Sequence, residues 1–158
     1  MTIKKIVSSA IKGIMYVPRK IYYNGLRKRL KNTNPTIISS DCFGGLVYHN
    51  LGLKFMSPTI NLFFSKDDFI TFVSNLKGFL DAELKEDLSA TEKFPVGTLE
   101  CDDNKISINF MHYKTFEEAK EKWDERKKRI DYDNIFIIQV IGENLTGEDI
   151  EKFSNLPY

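Results

Sequence analysis

The sequence predicts an α/β domain with a mixed, mostly parallel sheet and helices on its faces, preceded by a basic amphipathic N-terminal helix. Runs of β-branched residues alternate along the chain with segments whose apolar residues recur at helical spacing. The 158 residues are 42% hydrophobic and 28% charged, which suits one folded domain with its own core. Basic residues are concentrated at the N-terminal end. We therefore expect a basic arm over residues 1–32 and a single α/β domain over residues 33–158.

The N-terminal arm carries a pronounced charge asymmetry. The first 40 residues contain nine Lys and Arg and no Asp or Glu, whereas the rest of the chain has a net charge of −8. Pro18 is expected to kink or end the helix predicted there. That helix is amphipathic because its apolar residues recur at three- and four-residue steps: Ile3, Ile6, Ala10, Ile14, Val17 and Ile21.

Two interpretations of this arm remain open. A basic amphipathic helix followed by Arg27-Lys28-Arg29 is typical of helices that lie on an anionic membrane surface. The alternative is a helix packed on its own domain with a solvated basic face. The chain lacks a secretion signal pattern, and two cysteines are too few for a disulfide-stapled secreted protein. We expect a cytoplasmic location, peripheral at the inner membrane face under the first interpretation, and no nucleic-acid partner.

The folded body is expected to begin with a strand, a loop and a helix. Thr36 to Ser39 is a short β-branched run that follows a polar linker containing a proline. Ser40 to Gly45 is predicted as a tight glycine-containing loop. The helix after it should end at Gly52, because glycine accepts the left-handed backbone of a helix C-terminus.

A second strand and a longer helix should follow. Thr59 to Phe64 is apolar and β-prone, and Ser65 or Asp67 can cap the next helix. The apolar face of that helix runs from Phe69 to Leu80 at helical spacing. The polar stretch over residues 83–93 is predicted as a loop, with the possibility of some helix.

The second half of the body is predicted as a hairpin, a helix, a strand and a last helix. Val96 to Cys101 and Ile106 to Phe110 are strand-like runs joined by Asp102-Asp103-Asn104, which suits a hairpin turn. The helix Thr115 to Ile130 should place Trp123 in the core. Ile135 to Ile141 is apolar enough for a central buried strand, and Gly147 to Phe153 is the last helix. Parallel crossovers should dominate.

Cys42 is the candidate nucleophile. It follows a strand and precedes a helix, where the free backbone N–H groups and the helix dipole lower a thiol pKa and can hold an oxyanion. His112 follows another strand and can act as the base of a cysteine–histidine pair. The alternative for Cys42 is an ordinary buried cysteine. His49 is interpreted as a helix-end residue and Cys101 as structural.

Other chemistry has weaker support in the sequence. Two cysteines 59 positions apart and two histidines form no metal-ligand spacing, and the glycine-rich phosphate-loop patterns are absent, so no metal or cofactor is expected. Arg126 or Arg129 could receive an anionic substrate group. The alternative for these arginines is a solvated helix face.

The run from Ile38 to Leu53, continued by Ser57-Pro58-Thr59, resembles a bacterial family of unknown function whose members are often labelled exopolysaccharide or capsular polysaccharide biosynthesis proteins. Later blocks agree in order: Phe94-Pro95-Val96-Gly97, Phe110 to Tyr113, Glu117-Glu118-Ala119 with Trp123, Arg126 and Arg129, and Asp133-Asn134. The family usually has Asn in place of Asp41 and an aromatic residue, often Trp, in place of Phe43. Its members continue into another strand after Leu156-Pro157-Tyr158, which predicts a version shortened at the C-terminus.

The layout is also similar to papain-like bacterial proteins. This resemblance implies Cys42 as nucleophile, His112 as base and Asn134 as the residue that orients the imidazole. The substrate-binding residues that we predict are Asp41, Gly44, Gly45, Ser57, Thr59 and Arg126, with the amides near the two glycines as oxyanion donors. The expected function is cysteine-dependent acyl transfer or hydrolysis on a sugar or glycolipid intermediate. The alternative is a non-catalytic binding or scaffold module at the inner membrane face.

Overall fold

The structure is a computed structural model that describes residues 3–140, 146–156 and 158. The mixed α/β class predicted from the sequence is confirmed. The described helices are α1 (Ile3–Arg29), α2 (Phe43–Leu51), α3 (Lys66–Ser74), α4 (Leu76–Asp81), α5 (Phe116–Lys127) and α6 (Gly147–Ser154). The described strands are β1 (Thr36–Ser39), β2 (Lys85–Glu86), β3 (Val96–Cys101), β4 (Asn104–Asn109) and β5 (Ile135–Ile138).

The strands of the described chain form two separate sheets. β1 and β5 pair in parallel, with Thr36 opposite Ile135. The other sheet is antiparallel in the order β2-β3-β4, and it contains the predicted hairpin, whose turn holds Asp102 at a φ of 52°. Parallel pairing was expected to dominate, but in the described chain it joins only β1 to β5. β5 is only partly buried, and Ile141, the last residue of the predicted strand, lies outside the described residues.

The strand predicted from Thr59 to Phe64 is wrong. Asn61 has a φ of 63°, so the extended backbone is interrupted in the middle of the segment. Phe63 still exchanges two backbone hydrogen bonds of 2.9 Å with the last residue of β4, and the Phe64 N–H donates to the carbonyl of Ser40 at 2.9 Å. The segment therefore connects the two sheets at their edges instead of joining either one.

The helix predicted across residues 69–80 is divided into α3 and α4. Ser65 caps α3 as predicted, since its hydroxyl oxygen accepts the N–H of Asp68 at 3.1 Å. Asn75 leaves the helical region, with φ −136° and ψ 56°, and its side chain accepts the N–H of Gly78 at 3.2 Å. An asparagine that can cap a second helix breaks the first, even though the apolar spacing continues across it.

The main core lies among α3, α4, α5 and the antiparallel sheet. Trp123 is fully buried there, as predicted, and its ring centroid lies 6.1 Å from that of Phe72 and 6.4 Å from that of Phe110. A smaller cluster of Ile37, Tyr48 and Ile60 packs between β1 and α2. This second cluster sets the position of α2 and of the residues at its N-terminus.

Helix α1 runs through Pro18 to Arg29, so of the two predicted effects of the proline, a kink or a helix end, the helix end is wrong. A single proline removes one hydrogen bond of the ladder, and the turns on both sides of it remain helical here. Val17 and Ile21 are exposed; the side chains of the earlier members of the predicted apolar face lie outside the described residues. In the described chain, no helix is both long and apolar enough to cross a membrane.

Candidate active site

A cleft of about 400 Å³ opens beside the N-terminus of α2. Helix α2 contributes one wall, with residues spaced so that they share a face of the helix. The opposite wall comes from the segment after α2 and from the turn after β4. The lining residues are Cys42, Gly45, Leu46 and His49 on the α2 side, and Phe55, Ile60, Asn61 and His112 on the other.

The first turn of α2 lies against β1 because Gly44 has no side chain. A Cβ atom at Gly44 would lie 2.9 Å from the Cβ atom of Ser39 and 3.3 Å from a methyl carbon of Ile37. Tyr48 holds the next turn, since its hydroxyl accepts the N–H of Ile37 at 2.7 Å and donates to the carbonyl of Pro35 at 2.8 Å. Gly44 is therefore a packing residue, and its predicted role in substrate binding is limited to its backbone N–H.

The Cys42 thiol is half-buried at the N-terminus of α2, and it donates to the carbonyl oxygen of Leu62 at 3.7 Å. The prediction of a lowered thiol pKa is wrong. Burial raises the pKa of the Cys42 thiol, and the nearby Asp41 carboxylate raises it further. A thiolate would face the negative end of the Leu62 carbonyl, so the resting group is the neutral thiol.

Asp41 caps α2 in place of Cys42. Its Oδ1 accepts the N–H of Phe43 at 2.8 Å and lies 3.5 Å from the Ser39 hydroxyl, which donates to it. The Cys42 side chain makes no cap hydrogen bond. Asp41 was predicted to bind substrate, but its described contacts make it a helix cap whose charge acts on the adjacent thiol.

Two imidazoles line the cleft with the thiol. His112, the predicted base, is exposed in the turn that follows β4. His49 lies exposed in the last turn of α2, as the sequence predicted, and it lines the same cleft. The sequence spacing indicates this position, because His49 lies seven residues after Cys42, and residues i and i+7 lie on the same face of a helix.

Ser57 and Thr59 do not line the cleft, and the prediction that they bind substrate is not supported. Both are fully buried, and their hydroxyl oxygens lie 2.8 Å apart in a hydrogen bond. The Thr59 hydroxyl also accepts the N–H of Ser39 at 3.1 Å and donates to the carbonyl of Ile37 at 3.4 Å. These contacts occupy the free edge of β1, where a strand would otherwise pair.

Asn134 was predicted to orient the imidazole, and its contacts give it a different role. Its Nδ2 donates to Oδ1 of Asn32 and to the carbonyl of Asn34, both at 3.1 Å. Its Oδ1 accepts from Nδ2 of Asn32 at 2.6 Å. The side chain therefore holds the linker before β1, and it is absent from the cleft lining.

Arg126 and Arg129 support the wall of the cleft rather than presenting free charges to it. Arg126 donates to the hydroxyl of Tyr113 at 2.8 Å, and its guanidinium lies 5.4 Å from the ring centroid of Phe55. Arg129 donates to the carbonyl of Phe55 at 3.0 Å and pairs with Glu125. Because Phe55 lines the cleft, both arginines fix that wall from behind. Arg126 is absent from the described lining of the cleft, and its role as a substrate ligand stays a prediction.

Cys101 lies away from the cleft, at the end of β3. Its sulfur packs against Gly78 and lies 3.4 Å from Nδ2 of Asn75, which donates to it. Cys42 and Cys101 are both free thiols. Within the described ranges of the chain, no group of three His, Cys, Asp or Glu side chains is arranged to hold a metal ion.

The fold and the cleft define a mixed α/β protein in which helix α2 borders a cleft lined by one cysteine and two histidines. Residues 15–158 match the family model described as "Domain of unknown function (DUF1919)", and the chain belongs to this family. It is 37% identical over 134 residues to an uncharacterized protein of Haemophilus influenzae. The match covers 84% of this chain and 62% of that relative, so the chain spans less than two thirds of the relative's length.

Proposed function

We propose that the protein is a cysteine–histidine acyltransferase or hydrolase of surface (exo- or capsular) polysaccharide biosynthesis, acting on a sugar or glycolipid intermediate. The observation that carries the chemistry is that Cys42 and His112 line one cleft at the N-terminus of α2. The proposed role in polysaccharide biosynthesis is supported by the resemblance of the Cys42 region to proteins labelled as polysaccharide biosynthesis proteins.

The first step is transfer of an acyl group to the sulfur. Neutral His112 accepts the thiol proton while the Cys42 sulfur forms a bond to the acyl carbon. The bond between that carbon and the leaving oxygen then breaks, and the imidazolium returns the proton to the departing oxygen. The N–H groups of Gly44 and Gly45, in the first turn of α2, are the proposed donors to the developing oxyanion.

The second step releases the acyl group. A sugar hydroxyl or a water molecule attacks the thioester while His112 accepts its proton, and the proton returns to the sulfur as the carbon–sulfur bond breaks. The raised pKa of the Cys42 thiol makes a base obligatory, because little thiolate exists before substrate binds. The thiol must also turn away from the Leu62 carbonyl to reach the imidazole.

The test uses p-nitrophenyl acetate as an acyl donor and follows the burst of p-nitrophenol. We expect Cys42→Ala to abolish the burst and Cys101→Ala, the matched control thiol, to leave it unchanged. His112→Gln should slow acylation about 100-fold, the lower range for loss of a general base. His49→Gln tests the other imidazole, and a larger effect there would transfer the role of base to His49.

A burst that survives Cys42→Ala would refute the proposed mechanism. Mass spectrometry of the acylated protein provides a second readout, because the acetyl group should be found on Cys42. Recovery of the acetyl group on a lysine or on Cys101 alone would equally contradict a nucleophilic role for Cys42.

A non-catalytic binding module at an anionic membrane surface is the second candidate. The specific observation is that Val17 and Ile21, one helical turn apart on α1, are 58% and 67% exposed beside basic residues. Such apolar residues can enter the headgroup region while the bases contact anionic lipids. The double variant V17D/I21D should lose sedimentation with phosphatidylglycerol vesicles. Leu88→Asp, at an 88% exposed loop position, is the control. If it reduced sedimentation with the vesicles as much as V17D/I21D does, membrane binding through α1 would be contradicted.

A further inference from the structure

We propose that the groove between α1 and α2 is a binding site for a phosphate-bearing compound. The groove has a volume of about 560 Å³, and both helices contribute to its walls. Among the residues that the structure describes, no acidic side chain lines it. Its lining residues are Tyr16, Arg19, Lys20, Tyr23 and Arg27 from α1, and Leu46, His49 and Asn50 from α2.

The two arginines are oriented by α2. Arg27 donates from Nε and Nη2 to the carbonyl oxygen of Asn50 at 3.2 and 3.0 Å, and from Nη1 to Oδ1 of Asn24 at 3.2 Å. Arg19 donates from Nη2 to Oδ1 of Asn50 at 3.4 Å. Because a guanidinium carries five N–H donors, both groups keep donors for a ligand. Their orientation is already fixed, so binding costs less side-chain entropy.

Aromatic rings hold two of the cations at the groove. The Arg19 guanidinium lies 5.5 Å from the ring centroid of Tyr23, and Nζ of Lys20 lies 5.9 Å from that of Tyr16. A cation over an aromatic face is attracted by the ring without being neutralised. These contacts therefore position positive charge in the groove and leave it available to an anion.

The positive charge of the groove is uncompensated. Among the described residues, none of Arg19, Lys20 and Arg27 forms an ion pair with an acid. The first 40 residues contain no Asp or Glu that could supply one from the same segment. Like charges in one groove repel each other, and an anion relieves that repulsion. A phosphate group suits three cations better than a carboxylate does, because it has more oxygens, and a phosphate monoester or pyrophosphate also carries more than one negative charge.

The groove adjoins the cleft that contains Cys42. Leu46 and His49 line both of them, since they lie on the face of α2 between the two. A compound with its phosphate at Arg19 would therefore extend past His49 towards the thiol. This placement of the substrate rests on the proposed function, whereas the phosphate site itself does not.

The experiment measures pyrophosphate binding to the full chain by isothermal titration calorimetry. We expect saturable binding that Arg19→Gln and Lys20→Gln each weaken about tenfold, the effect of losing one charge-assisted contact. Lys28→Gln is the matched control, because it removes the same charge from the same helix outside the groove and should change affinity less than twofold. Lys20 makes no hydrogen bond to α2 in the described contacts, so its substitution should leave the fold intact.

Sedimentation with phosphatidylglycerol vesicles distinguishes the source of the phosphate. If pyrophosphate competes with the vesicles, the phosphate belongs to a lipid headgroup; if it binds without any sedimentation, the ligand is a soluble compound. Either result supports the site. Absence of saturable pyrophosphate binding, or equal weakening by Lys28→Gln, would overturn it. Cys42→Ala should bind pyrophosphate with the affinity of the wild type. The phosphate site can therefore be confirmed even if the catalytic proposal fails.

Discussion

Replacing Gly44 by alanine tests how tightly α2 is packed on β1. The new Cβ atom would lie 2.9 Å from the Ser39 Cβ atom and 3.3 Å from Ile37, whereas carbon atoms normally approach to about 3.5–4.0 Å. Both neighbours belong to a buried strand, so α2 must move away from it. Overpacking of this kind lowers the free energy of unfolding by about 1–3 kcal/mol, and the higher helix propensity of alanine offsets about 0.5–1 kcal/mol of this loss. We expect a net loss of about 1–2 kcal/mol.

Gly45→Ala is the matched control, one residue further along the same turn. Its Cβ atom would meet Ile60 at 3.6 Å, an ordinary contact, so this variant should gain up to about 0.5–1 kcal/mol. The assay is equilibrium unfolding in urea. With a slope of about 2 kcal/mol per molar, the midpoints of the two variants should differ by about 1 M. A Gly44→Ala variant as stable as Gly45→Ala would refute the proposed close packing.

Three further predictions concern single side chains. Asp41→Asn keeps the cap acceptor and removes the charge, so the pKa of the Cys42 thiol should fall and iodoacetamide should label it faster at neutral pH; an unchanged rate would exclude a charge effect. The pKa of Asp149 is held well below its ordinary value of 3.8 by its bond to Lys66 at 2.8 Å. The ionised carboxylate therefore stabilises the fold at a pH above its ordinary pKa, and this stabilisation is lost as the pH falls towards the folded-state pKa. The free energy of unfolding in urea should differ between wild type and Asp149→Asn at neutral pH, and this difference should shrink below about pH 4. Thr59→Val should lower stability by about 1–3 kcal/mol, because a buried N–H and a buried hydroxyl lose their partner; a neutral result would contradict its structural role.

Most of the secondary structure could be predicted from local sequence. The strand from Thr36 to Ser39, the hairpin and the last helix depend on β-branched runs, turn residues and caps, which act between neighbours in the chain. Two of the errors occur where one residue overrides a longer pattern. Asn61 breaks the predicted strand by its left-handed backbone, and Asn75 divides a helix whose apolar spacing continues.

The candidate site was only partly predictable. Local order located Cys42 at a helix N-terminus and His112 after a strand, and both line the cleft. The direction of the Cys42 pKa shift could not be inferred from its place at a helix N-terminus, because burial, the largest cause, is a property of the fold. Ser57 and Thr59 are polar and close to the site in sequence, but hydrogen bonds to β1 hold them inside.

The sequence by itself determined the α/β class, the basic N-terminal helix and the thiol at the start of α2, since each follows from spacing, charge and turn chemistry over a few residues. Only the tertiary structure decided which groups meet. The packing of α1 on α2 places Arg19 and Arg27 on Asn50, and no local rule encodes these contacts. Burial raises the pKa of the Cys42 thiol and long-range hydrogen bonds hold Thr59 inside, and both effects are properties of the folded chain.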